Sequence, residues 1–195
     1  MKKIFSGMRG IRIQLIFAAF LFVFAGKTAI SQPFSITSVN ITPVTCNGGS
    51  TGEVTITVTG GTGPYTIQLL DWTNFLPVGS RVSVTGIETF SGLIASEYLV
   101  RASDATLPTT WKSQFFDITE PALLQLTATP TNITCNGALD GKITASAVGG
   151  VTDYQYTLNS GGVPLLTLIS SGGVVFTGLA AANNYTVELT DFNSC

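Results

Sequence analysis

Histidine is absent from this chain, cysteine occurs only three times, and charged residues make up 10% of the 195 positions. Each shortage excludes something. Without histidine there is no imidazole base to activate a serine or cysteine nucleophile, and no acid and base pair at matched positions, so the chain is expected to be non-catalytic. Zinc needs several converging ligands, commonly in CxxC or histidine-containing spacing, whereas Cys46, Cys135 and Cys195 are scattered. No metal and no cofactor is expected. The glycine turns "NGGSTG" and "NGALDG" open no helix, which rules out a phosphate loop.

Charge at 10% lies well below the usual quarter or so of a globular domain. Threonine, serine and glycine fill the gap, a balance that suits short strands and tight turns. Disorder is excluded by 45% apolar content and a formal net charge of only −2.

The first residues stand apart. "MKKIFSGMRGIR" carries Lys2, Lys3, Arg9 and Arg12, then "IQLIFAAFLFVFAG" is almost wholly apolar, and Ala29 and Ser31 supply small residues. This is the layout of a secretory signal peptide over 1–31, cut between Ser31 and Gln32. The apolar run falls short of the roughly 20 residues that a spanning helix needs, so no membrane contact is expected after cleavage. Five of the nine Lys and Arg residues lie in this leader, and all eleven acids lie beyond it. Four cations against eleven acids argue against nucleic acid and anionic membrane as partners.

An internal repeat organises the rest. "ITPVTCNGGSTGEVTITVTGGTGPYTIQL" and "ATPTNITCNGALDGKITASAVGGVTDYQYTL" superpose Cys46 on Cys135, Asn47 on Asn136, Gly48 on Gly137, and Gly60 and Gly61 on Gly149 and Gly150. Further on, "FSGLIASEYLVRASD" answers "FTGLAAANNYTVELTD". The joint is "DITEPALLQLTATPTN", which sets two repeats over 32–121 and 122–195.

Within each copy the period is two. "EVTITVTG" alternates Val54, Ile56 and Val58 with threonines, the pattern of a half-buried antiparallel strand. Turn residues punctuate seven strands in the first copy, near Ser35–Val44, Glu53–Gly60, Tyr65–Leu70, Arg81–Thr85, Glu88–Leu93, Glu97–Ser103 and Trp111–Thr119. The fold class is therefore all-β, two tandem immunoglobulin-like sandwiches, the second lacking its last strand. An open sheet edge is a liability, so the chain is expected to be the N-terminal part of a longer protein. Tyr98 and Tyr185 open the sixth strand of each copy, where a tyrosine corner ties a buried ring to nearby backbone.

Other residues have bland and sharp roles. Asp104, Asp140, Asp153 and Asp191 sit at strand ends and are expected to be turn aspartates rather than calcium ligands. Asn40, Asn132 and Asn184 match the N-glycosylation pattern within threonine-rich strands. Trp72, Phe75 and Trp111 are expected to pack at a core or edge, and a flat exposed pair of tryptophans would point instead to sugar binding.

"TCNGGSTGEVTITVTGGTGPYTI" with "FSGL", "EYLVRASD" and "ITEP", repeated as "TCNGALDGKITASAVGG", "FTGL" and "NYTVELTDFNSC", resembles the SprB-type repeat found in tandem arrays of Bacteroidota surface proteins, including gliding-motility adhesins. The resemblance implies a secreted or cell-surface repeat protein with a structural or adhesive role. Implied partners are further repeats of the same chain and an extracellular polysaccharide or surface ligand. A spacer or carbohydrate-binding module of a secreted polysaccharide-degrading enzyme is the alternative. In the first copy Pro108 stands where the family usually has its second cysteine, and Cys195 holds that place in the second. Export makes disulfides the default. Beads threaded head to tail favour an inter-repeat pair, Cys46 with Cys195, over Cys135 with Cys195. The preference holds only if two strands lie between the third and sixth.

Overall fold

The computed structural model describes residues 33–182 and 184–195. The expected signal peptide, 1–31, lies outside the described residues. The described residues contain thirteen strands and no helix.

Seven strands build the first sandwich. They are β1 (Ser35–Thr42), β2 (Gly52–Thr59), β3 (Tyr65–Asp71), β4 (Leu76–Ser83), β5 (Ile87–Leu93), β6 (Ser96–Ser103) and β7 (Lys112–Ile118). One sheet has the order β1-β2-β5, the other β4-β3-β6-β7, and all pairs are antiparallel. The period-two pattern decides which face is dry: Val54, Ile56 and Val58 of β2 meet Ile67, Leu69, Tyr98, Val100 and Phe116 across the gap, all buried. On the opposite face of β2 the Thr55 hydroxyl meets that of Thr89 on β5 at 2.9 Å.

The second sandwich uses β8 (Gln125–Thr131), β9 (Gly141–Val148), β10 (Tyr154–Ser160), β11 (Val163–Ser170), β12 (Val174–Leu179) and β13 (Tyr185–Thr190). Its sheets run β12-β9-β8 and β11-β10-β13 around Ile143, Ala145, Tyr154, Tyr156, Leu158 and Phe176. Among the described residues this sandwich has no counterpart of β7.

The fourth strand departs from expectation. It begins at Leu76 rather than near Arg81, and it lies on the β3 edge. Asp71 causes the early return: its carboxylate accepts the N–H and hydroxyl of Thr73 and the amide of Asn74, a tight local turn. Pro77 and Gly79 do not break the strand because it sits at the sheet edge, and Gly79 admits the Phe90 ring, which lies 2.9 Å from where a Cβ would stand. Two strands, β4 and β5, therefore separate β3 from β6. In each sandwich the β1–β2 (or β8–β9) corner and the exit of β6 (or β13) lie at opposite ends.

Candidate functional site: the joint between the repeats

Both sandwiches belong to one compact unit, Ser31–Cys195. Their joint is built from the lower end of the first and the upper end of the second, and its parts recur in both.

The upper end is organised by one aspartate per repeat. Asp191, just after β13, accepts the backbone N–H of Val151 at 2.8 Å on one oxygen, and those of Asn193 and Cys195, each at 2.9 Å, on the other. Burial pushes this carboxyl up, but the three N–H donors outweigh it and hold it below the usual carboxylate value. Asp104 does the same after β6. The Leu107 N–H lowers its pKa most, burial opposes, and Thr106 and Thr62 add to the lowering. Both carboxylates are occupied as turn-organising acceptors. A Cβ on Gly61 would stand 2.5 Å from an Asp104 oxygen, and one on Gly150 2.6 Å from an Asp191 oxygen, at φ of +64° and +57°. The second glycine of each pair is thus required by both space and backbone conformation. Gly60 and Gly149 offer their carbonyls to the hydroxyls of Tyr65 and Tyr154, at 2.9 and 2.7 Å.

At the lower end, Gly49 N–H bonds Cys46 C=O at 2.9 Å, and Ala138 N–H bonds Cys135 C=O at 3.0 Å, so both cysteines open the same turn. In the first repeat this turn grips the linker. The Glu120 carboxylate accepts the Gly48 N–H at 2.7 Å and the Asn47 amide at 2.9 Å, and the same amide donates to Pro121 C=O at 3.0 Å. One residue on, Ala122 C=O accepts the Gly150 N–H of the second repeat at 2.7 Å. Across the joint the Asn193 amide donates to Thr45 C=O at 2.8 Å.

Covalent closure completes the joint. Cys46 and Cys195, 149 residues apart, form a disulfide with a Cα separation of 5.6 Å. Cys135 is exposed with a free thiol. Asp191 places Cys195 by accepting its N–H, and the cysteine turn places Cys46, so the bridge spans two preformed corners.

Elsewhere, Tyr98 is buried and donates its hydroxyl to Ile94 C=O at 3.0 Å, while Tyr185 is half-buried at the equivalent place. Trp72 is half-buried between Phe75 and Phe115, with ring centroids 4.6 and 4.7 Å away in edge-on contact. Trp111 lies under the Arg101 guanidinium at 4.7 Å. These are packing contacts, and the two tryptophans form no flat pair. Asp140 is held below the usual carboxylate value chiefly by the Thr134 hydroxyl, then by its N–H. Sequence reasoning missed Glu120 and Asn193. The "TEP" tripeptide that closes the first copy was the available signal for Glu120.

Two stretches of the chain, 38–74 and 127–163, match the SprB repeat. Each contains the cysteine turn, the glycine pair and the strands around them. None of the curated proteins is significantly similar to the chain. Among solved structures it is similar to a biofilm-associated protein BSP domain at 12% identity and a TM-score of 0.34, over 80% of this chain. The chain spans only 26% of that protein's length. It is also similar to a two-domain fibronectin type III segment from chicken tenascin, at 12% identity and a TM-score of 0.33 over 79% of this chain and 89% of that one. The fibronectin(III)-like modules of Clostridium thermocellum CbhA are similar at 14% identity and 0.33, over 83% and 87%.

Proposed function

We propose that this chain, which carries two SprB repeats, is a non-catalytic stalk segment of an adhesive protein on the cell surface, exported through its leader. Carrying observation: the Cys46–Cys195 bridge closes a joint already tied through Glu120, Ala122 and Asn193. Tandem domains joined by a plain linker swing by default. A covalent clamp with hydrogen bonds on both sides of the linker holds successive sandwiches in one orientation. Such a rod keeps a distal binding domain away from the cell. Surface proteins of this kind also serve gliding, and the same stiffness suits a fibre that transmits force to a polysaccharide substratum.

The test is made on the producing cells. Antibody against the two repeats should label intact cells, and deletion of the chain should reduce their attachment to polysaccharide-coated glass. A label seen only after permeabilisation, or unchanged attachment, would contradict the proposal.

A further inference from the structure

At the side of the second sandwich β11 is an open edge. Among the described residues it pairs with β10 alone, and a counterpart of β7 would join β13 at the far side of the same sheet, so the openness of β11 does not depend on it. β4, the matching strand of the seven-stranded first sandwich, is an edge as well. The two edges differ in charge. "LPVGSRVS" of β4 and "VPLLTLIS" of β11 align residue for residue, each with proline in second place, but Arg81 of β4 is replaced by Leu168 in β11. The Arg81 guanidinium lies 5.8 Å from the centre of the Phe90 ring, whereas Leu168 packs on the second core. A charge turned inward from an edge strand guards it against strand addition. β11 has no charged residue, and its Val163, Leu165, Leu166 and Ile169 are exposed.

This edge is also its own complement. "LLTLI", Leu165–Ile169, reads nearly the same in both directions about Thr167. Antiparallel pairing with a second copy about a two-fold axis at Thr167 sets Leu165 against Ile169, Leu166 against Leu168, and Thr167 against Thr167. Each apolar side chain then faces an apolar one and hydroxyl faces hydroxyl, the kind of cross-strand pair that stabilises a sheet. Thr167 already shares a hydroxyl–hydroxyl bond of 3.1 Å with Thr157 on β10, so the pairing extends a threonine row across the axis. Pro164 and the bulge beside it, opposite Leu158 and Asn159, close only the hairpin end of the strand, and Leu166–Ser170 is regular. A second copy meets this uncharged pattern by symmetry, which a strand of another protein would meet only by coincidence.

We propose that β11 is a self-pairing edge, through which two copies of this chain join β11 to β11 antiparallel and continue the β11-β10-β13 sheet across a two-fold axis. Main-chain hydrogen bonds along the free edge supply affinity, and the apolar pairs with the central threonines fix register. One strand pair lies at the small end of specific interfaces, under roughly 1,200 Å², so a dissociation constant of about 10–500 µM is expected. Strands run between the two ends at which the repeats join, so the paired chains point in opposite directions. For a surface stalk this is the arrangement of two facing cells rather than of neighbours on one, and that step alone rests on the proposed function.

Sedimentation equilibrium of the oxidised chain, with amide hydrogen exchange at low and high concentration, tests the pairing whether or not the chain is a stalk. A monomer–dimer equilibrium is expected, with concentration-dependent protection over Leu165–Ser170 and none added at Tyr185–Thr190. Thr167→Lys places two lysines opposite each other on the axis and should raise the dissociation constant at least about tenfold, whereas Val82→Lys on the guarded edge β4 should leave it unchanged. Both positions are exposed, so neither change touches a core. A chain that stays monomeric at about 1 mM, a dimer indifferent to Thr167→Lys, equal loss with Val82→Lys, or protection at Tyr185–Thr190 in place of β11 would each overturn the proposal.

Discussion

The carboxylate of Glu120 accepts the backbone N–H of Gly48 at 2.7 Å, across 72 residues of sequence. It binds the end of the first sandwich to that sandwich's own cysteine corner and so fixes where the linker leaves. Replacing it by alanine should cost about 1–2 kcal/mol, since two charge-assisted bonds on an exposed corner, from the Gly48 N–H and the Asn47 amide, are lost. Urea unfolding followed by intrinsic tryptophan fluorescence measures it, because both tryptophans, Trp72 and Trp111, belong to the first repeat. An unchanged midpoint would show that the linker is held without Glu120.

Acid should loosen the upper ends. Asp104 and Asp191 have folded-state pKa values below the usual 3.8, so their hydrogen bonds add stability that is fully present above that value. This contribution is lost as pH falls below 3.8 through the folded values. Melting temperatures measured from pH 6 down to 2 should fall in the lower part of that range, and Asp191→Asn should flatten the fall while lowering the plateau. A variant with the same pH profile as the parent would sink the assignment.

Glycine positions should separate into two classes. Gly162 has a positive φ of +83° with nothing near a Cβ, so Gly162→Ala should cost about 1 kcal/mol of backbone strain. Gly150→Ala meets the Asp191 carboxylate in addition, and overpacking there adds about 1–3 kcal/mol. Comparison of the two by thermal melting checks the ordering, and equal losses would show that Asp191 moves freely aside.

Cysteine connectivity is open to direct chemistry. Digestion of the oxidised chain without reductant should release a peptide pair containing Cys46 and Cys195, with Cys135 alkylated as a free thiol. A Cys135–Cys195 pair would place the bridge within one repeat and remove the clamp.

Much of the architecture was legible because period two and repeated turns are strong local signals. Val54, Ile56 and Val58 announce a strand with one dry face, and the recurrence of Cys and Gly-Gly at one offset, with Asp following in the same order, announces two copies. The start of β4 was not legible: Pro77 and Gly79 read as a turn, and only pairing to the β3 edge makes them a strand. The grip of Asn47 and Gly48 on Glu120 was equally hidden, because a contact across 72 residues has no local pattern. For the joint, strand count was the deciding fact. Two strands between β3 and β6 put the cysteine corner and the Asp191 corner at opposite ends, where only successive repeats bring them together.

A joint held in one orientation has one direct test. Residual dipolar couplings should be measured on the two repeats of the oxidised chain, then again after reduction and with Cys46→Ser. The oxidised chain should fit a single alignment tensor across both sandwiches, and loss of the bridge should let the two tensors diverge. Independent tensors in the oxidised chain would contradict the rigid stalk.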